Sequence, residues 1–219
     1  MKDMAWHYGE TCNHERISCD VWKSEDVFQE QLQLNIKQLK KPKEEYPSHW
    51  LEFFAVMDSI EIPKEKYKFL DVGCGCGSYI DLCKNYNVSY HGVDFSPMAI
   101  TIAKKAWENP SSFSVGDYKD LSSESIKDVD ILHLGALLDV LPSGDEAFKF
   151  ILNLNAKHLI LGRVHFTNEK SRSYTLKAYL EKTFVRYEHN KTNFYQELDK
   201  RKIEYKQFGT TLYIKGKDE

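Results

Sequence analysis

Apolar residues recur along this chain with two periods that change from one segment to the next. Between Ser24 and Lys40 they fall at Val27/Phe28, Leu32, Ile36 and Leu39, which is the spacing of one helix face, and Ser24 stands where an amino-terminal cap belongs. Pro42 and Pro47 interrupt that pattern. A second helix is expected over Ser48–Ile60, packed along a sheet, with Pro63 separating it from the first strand. From Phe69 onward the pattern switches to short apolar runs: Phe69-Leu-Asp-Val, Ser89–Val93, Phe113–Val115, Asp128–Leu134 and Lys157–Gly162. A helix starting at Pro97 and running to Trp107 lies among them, and such interleaving of strands and helices predicts an α/β fold with a mostly parallel sheet. Ile203–Phe208 and Thr211–Lys215, joined across Gly209-Thr210, read as an antiparallel hairpin. The stretch from Thr167 to Lys202 reads as one long segment carrying Tyr174, Tyr179, Arg186, Tyr187, His189 and Asn190, and closes in a helix over Asn193–Arg201.

The first strand ends in an acid and runs directly into glycines at alternate positions, Asp71-Val-Gly73-Cys74-Gly75-Cys76-Gly77. Glycine there permits a sharp turn and lets a bulky ligand lie against bare backbone, and a helix starting near Tyr79 would aim its positive end at that ligand. A tight strand-to-helix turn can require glycine for geometry alone, so the next acids carry more weight. Asp94 closes the second strand, 23 positions after Asp71, where an open α/β sheet reads ribose hydroxyls. Asp117 follows Gly116 at the end of the third strand, placed to hold an adenine amino group. A dinucleotide site asks for Gly-x-Gly-x-x-Gly/Ala, but that last position is Ser78 and the third glycine falls one place early at Gly77.

With Asp71-Val-Gly-Cys-Gly-Cys-Gly, Val93-Asp94-Phe-Ser and Gly116-Asp117-Tyr in order, the chain resembles the class I S-adenosylmethionine-dependent methyltransferases over Tyr67 to Lys215. The resemblance implies a Rossmann-like seven-strand, mostly parallel sheet with an antiparallel C-terminal hairpin. Residues 67–219 would form the cofactor-binding core and residues 1–66 an N-terminal helical cap of the same domain. It also implies S-adenosylmethionine as cofactor, held by Asp71, Gly73, Cys74, Gly75, Gly77, Asp94, Phe95, Ser96, Met98, Asp117, Tyr118 and Leu134. Gly135–Pro142 would cross the cofactor's methionine end. Family members frequently place His or Glu just before the apolar-Pro close, where this chain has Asp139 and Val140. It also lacks the Asn-Pro-Pro-Tyr tetrad of the enzymes that methylate amino groups of nucleic-acid bases or glutamine. O- or N-methylation of a small molecule is therefore the expected activity. An NAD(P)-dependent oxidoreductase, opposed by Ser78 and the terminal hairpin, and a non-catalytic cofactor-binding protein are the alternatives.

Composition narrows the partners. The 219 residues fit one domain, and 42% hydrophobic with 29% charged residues is ordinary for a globular chain. A net charge of −3 supplies no broad positive field, so nucleic acid is disfavoured as a substrate. No run approaches the roughly 20 apolar residues of a membrane span, and the start lacks a leader-like apolar region, which points to a cytoplasmic protein. Five cysteines form no paired framework, and Cys74, Cys76 and Cys83 read as reduced space-fillers. His7, Cys12, His14 and Cys19 match no common zinc spacing, so no metal is expected.

Three histidines are candidates for a general base. His165 follows the fifth strand and is the first choice; His133 lies inside the apolar run of the fourth strand, and His7 lies on the cap. A histidine flanked as in Ile-Leu-His-Leu is more often a hydrogen-bonded core residue. Trp6, Tyr8 and Trp22 sit on the amino-terminal stretch, and the segment from Met1 to Asp20 is expected to fold over bound ligand as a lid.

Overall fold

The computed structural model describes residues 11–62 and 65–216. In chain order the elements are α1 (Thr11–Val21), α2 (Glu25–Leu39), α3 (Ser48–Ser59), β1 (Tyr67–Val72), α4 (Tyr79–Leu82), β2 (Val88–Asp94), α5 (Pro97–Ala106), β3 (Phe113–Val115), α6 (Ser123–Ile126), β4 (Ile131–Leu134), α7 (Leu137–Val140), α8 (Gly144–Asn153), β5 (His158–Leu161), β6 (Phe166–Thr167), β7 (Arg172–Lys177), β8 (Thr183–Asn190), α9 (Lys191–Lys200), β9 (Tyr205–Phe208) and β10 (Thr211–Lys215). Seven strands form the main sheet in the order β3-β2-β1-β4-β5-β10-β9. The first five run parallel, while β10 pairs antiparallel with both β5 and β9. The strand order reverses between β1 and β4, which opens a crevice at their carboxyl ends.

Successive residues of each strand point to opposite faces, and the two faces bury different helices. Phe69, Ile131, Ile160 and Tyr213 meet Trp50, Phe53, Val56 and Met57 of α3 on one side. Leu132, Leu134, Leu159, Leu161, Leu212 and Ile214 pack beneath α8 and α9 on the other, against Phe148, Ile151, Phe194 and Leu198. Helix α3 therefore flanks the sheet, as its apolar content predicts.

The stretch left as one segment in the sequence is a second sheet of order β6-β8-β7, with β7 and β8 antiparallel. Arg172 faces Glu188 across that hairpin, and Phe184, Val185 and Tyr187 of β8 are buried. This sheet roofs the crevice together with α1. The described part of α1 is fixed by Ser18 donating to the Val140 carbonyl at 3.0 Å and by a 2.8 Å bond between His14 and Ser173. His7, Trp6 and Tyr8 lie outside the described residues, as do the side chains of Cys12 and Cys19 and most of the expected lid before α1. No helix among the described residues is long and apolar enough to cross a membrane.

Candidate active site

A cavity of about 480 Å³ opens at the carboxyl ends of β1 to β4, a volume within the range of small-molecule sites. Its floor is the glycine loop. Gly73, Gly75 and Gly77 all adopt left-handed backbone, with φ of +74°, +53° and +76°. A Cβ at Gly75 would press on the Gln31 side chain of α2, so that helix lies directly over the loop; a Cβ at Gly77 would overlap the ring of Phe113. The loop is pinned to β2 by the Gly73 and Cys74 N–H groups donating to the Val93 carbonyl at 2.8 and 3.1 Å.

Asp94 ties this loop to the start of α5. One carboxylate oxygen accepts the Gly75 N–H and the other the Ser96 N–H, both at 2.9 Å. The side chain is nearly enclosed, and burial pushes its pKa up to about 6 against the pull of those two bonds. Even so, Asp94 lines the cavity beside Gly73, Gly75, Phe95, Asp117 and Tyr118. Asp117 caps the turn at Tyr118–Asp120 through the Lys119 N–H.

Other residues expected to touch the cofactor stand elsewhere. Asp71 is buried beneath α3, accepting from Tyr90 Oη at 2.7 Å and lying 2.7 Å from His133 Nδ1. Both of its oxygens face core partners because its strand position points it to the α3 side, away from the crevice. Leu134 points to the opposite face and is fully buried against α8. Ser96 is also buried, its hydroxyl capping α5 through the Ala99 N–H. Cys74 is buried in the core cluster under α3, and Met98 packs with Phe28 and Cys76 under α2. Gly77 shapes the turn behind Phe113 and Trp107, one layer below the wall.

Neither described histidine candidate is a free base. His133 is enclosed by Phe53, Phe69 and Tyr79 and bonded to Asp71, so it belongs to the core. His165 lies 2.9 Å from Arg186 Nη1. A guanidinium only donates, so Nε2 of His165 is an acceptor whose lone pair is already engaged, and the ring proton sits on Nδ1.

Arg186 belongs to a cluster that the sequence did not bring together. Asp139 of α7 is fully buried, and one of its oxygens lies 3.2 Å from Arg163 Nη2, 3.6 Å from His165 Nε2 and 3.9 Å from Arg186 Nη2. These are ion-pair distances without hydrogen-bond geometry, so neither Asp139 oxygen has a hydrogen bond among the described residues. His49 of α3 also feels this cluster: burial, reinforced by Arg163, lowers its pKa to about 4. Arg163 and Arg186 both reach the cavity wall, at the end away from Asp94 and Asp117. Apart from these arginines, Ser18 and Ser143, that end is apolar, lined by Val140, Leu141, Pro142, Leu176, Phe184 and Val185. Trp22 closes it edge-on to Phe184, with ring centroids 5.1 Å apart, and Tyr179 stands beside them.

Residues 69–160 match the family model described as a methyltransferase domain. No curated protein matches the chain in sequence. Among solved structures, the PH0226 protein of Pyrococcus horikoshii is 21% identical, with a TM-score of 0.56, over 80% of this chain and 92% of that one. CalS10 of Micromonospora echinaspora, an amino pentose methyltransferase solved with S-adenosylmethionine, gives 10% identity and a TM-score of 0.57 over 85% and 96% of the two chains. Magnesium protoporphyrin IX methyltransferase of Synechocystis, also solved with S-adenosylmethionine, gives 18% identity and a TM-score of 0.51 over 76% of each chain. At these identities the likeness is one of fold.

Proposed function

We propose, for a chain that is a class I S-adenosylmethionine-dependent methyltransferase, that its acceptor is a small molecule methylated on oxygen or nitrogen. The observation that carries this reading is the shape of the cavity. One partly open cavity runs from the glycine loop and two strand-end carboxylates to an apolar end roofed by β7, β8 and α1. A roof of that kind admits a small molecule and excludes a strand of nucleic acid or a folded protein surface.

The residues present fit the cofactor. Gly73 and Gly75 leave a cradle of bare backbone, and the Leu137 side chain stands only 3.2 Å from where a Cβ on Gly73 would lie. Asp94 and Asp117 offer acceptors for ribose hydroxyls and the adenine amino group, with Phe95 and Tyr118 beside them as apolar surface. When bound, the sulfonium of S-adenosylmethionine supplies a methyl group open to in-line displacement. The chain contributes alignment: an apolar end pocket that excludes water and orients the acceptor nucleophile, the kind of positioning that lowers a barrier without proton transfer. Among the described residues, no histidine lines the cavity wall. An acceptor that is already a good nucleophile, such as a neutral amine or an ionised oxygen, suits this site.

The test is turnover of radiolabelled S-adenosylmethionine with a small-metabolite extract, with total RNA and with total protein in parallel. Label recovered in a compound of low molecular mass is expected. Label recovered solely in RNA or protein would overturn the reading.

A further inference from the structure

We propose that the methyl acceptor carries a carboxylate and that Arg163 and Arg186 hold it; this rests on the methyl-transfer reading above. Among the described residues, two guanidinium groups stand against one carboxylate, Asp139, at this end of the cavity. The other described titratable groups that face the cluster, His165, His49 and the buried Tyr79 hydroxyl beside Arg163, add no negative charge. One positive charge is left over in a space walled mostly by apolar side chains, where an unbalanced charge is poorly tolerated. A bound monoanion restores the balance. A phosphate monoester, with a charge of about −1.5 to −2 at neutral pH, overshoots it, so the single-charge match points to a carboxylate.

The arginines are also placed to receive a ligand. Their side chains are 31% and 24% exposed, while the Asp139 carboxylate between them is fully enclosed, so the charge reaching the cavity is the positive one. Each guanidinium has five N–H donors in a planar fork; Arg186 spends one on His165, and the ion-pair contacts to Asp139 spend none as hydrogen bonds. Arg163 holds left-handed backbone at φ +59°, which an L side chain with a Cβ adopts under strain. The neighbours fix it there: the Gly162 N–H donates to the Leu134 carbonyl and the Val164 N–H to the Thr210 carbonyl, both at 2.8 Å.

A cofactor carries a carboxylate of its own, on its methionine tail, and that tail competes for the same pair. Topology favours the acceptor. Asp94 ends β2, whereas Arg163 follows β5, which is three strand spacings away in the sheet order, or about 14 Å at the usual separation of neighbouring strands. The crevice between β1 and β4 lies between them, so the arginines stand on its far side.

The experiment is calorimetric titration of the protein saturated with S-adenosylhomocysteine, using benzoate, phenylacetate and hexanoate as probes and benzamide as the uncharged control. At least one carboxylate should bind, and benzamide should bind at least tenfold more weakly. Arg163→Gln and Arg186→Gln should each weaken carboxylate binding by about tenfold or more, the scale of a charged hydrogen bond, and the Lys variants should recover part of it. Asp139→Asn should tighten binding, because it removes the competing carboxylate; a merely structural role for the cluster predicts no tightening. Where a Gln variant fails to fold, the Lys variants and Asp139→Asn decide. The proposal is overturned if no carboxylate binds, if benzamide binds equally well, or if Asp139→Asn leaves affinity unchanged or lower. It is also overturned if the arginine variants abolish the preference for S-adenosylhomocysteine over 5′-methylthioadenosine, which lacks the amino-acid tail, since the pair would then serve the cofactor. Failure of the wild type to bind S-adenosylhomocysteine would sink the methyl-transfer reading itself, an outcome distinct from these.

Discussion

Replacing Asp94 by Asn tests the cofactor assignment where the structure is most explicit. The carboxylate already accepts one backbone N–H on each oxygen, from Gly75 and from Ser96, and each oxygen keeps a second lone pair for the cavity. If those lone pairs take the ribose hydroxyls, their loss should weaken S-adenosylhomocysteine binding by ~1.5–3 kcal/mol, roughly ten- to a hundredfold, the usual size for hydrogen bonds to a charged group. The substitution also disturbs the loop, so affinity for S-adenosylhomocysteine alone does not decide the matter. Calorimetry with S-adenosylhomocysteine and its 2′,3′-dideoxyribose analogue separates the two effects. Asp94→Asn should weaken the first and leave the second nearly unchanged, whereas a collapsed loop would weaken both equally. Equal losses, or no loss, would refute the ribose assignment. Acidity supplies a second check with opposite signs for protein and complex. The folded-state pKa of about 6 lies above the usual 3.8, so between those values the folded protein binds more protons than the unfolded one. The contribution of Asp94 to the stability of the free protein therefore rises as pH falls from 6 towards 4, while cofactor affinity falls because the ionised acceptor is lost. Asp94→Asn should flatten both trends.

Four further outcomes follow from the geometry. His133→Ala removes the partner of a buried carboxylate and should destabilise the fold by about 3–5 kcal/mol in urea titration. His165→Ala should raise the KM for the acceptor by loosening Arg186 while leaving kcat within a few-fold; a loss of about 10²-fold at saturating acceptor would reinstate a general base there. Gly77→Ala combines left-handed backbone with overlap on Phe113 and should lower the melting temperature by the equivalent of about 2–4 kcal/mol. Trypsin cleavage after Arg16, an exposed residue of α1, should slow when S-adenosylhomocysteine is added, and cleavage at an equal rate would count against a closing lid.

The parts of this molecule that are local in sequence could be read from it. The glycine loop, the strand-end acids Asp94 and Asp117, the flanking helix α3 and the terminal hairpin each announce themselves through a period or a turn residue within a dozen positions. The roof did not, although β8 carried a usable signal: Phe184, Tyr187 and His189 are buried on a stretch rich in aromatic and branched residues. Its intervening polar residues disguise a strand as a loop: Arg186 faces the cavity, Glu188 pairs with Arg172, and Asn190 caps α9 through the Asn193 N–H. Asp71 misled for a different reason. Its place beside the glycines suggests a ligand contact, but strand parity alone decides which face it takes, and parity put it with Phe69 under α3. The arginine pair was out of reach, since Arg163 and Arg186 meet only after the chain has passed through β6 and β7 and back.

The bonds joining Asp71, Tyr90 and His133 have a consequence for strand alignment. These residues sit on β1, β2 and β4, where Asp71 is directly opposite His133 and Phe69 opposite Tyr90. The rest of that neighbourhood is apolar, and apolar parallel strands could slide past one another with little change in what they bury. A slip of one residue would turn the carboxylate to the other face, and a slip of two would leave it enclosed beside hydrocarbon with no donor. The three polar groups therefore act as a detent that admits one alignment of the central strands. That alignment sets the height at which the glycine loop leaves β1 relative to Asp94 at the end of β2. A residue enclosed beneath α3 thus determines whether the glycine loop and Asp94 arrive at the same level.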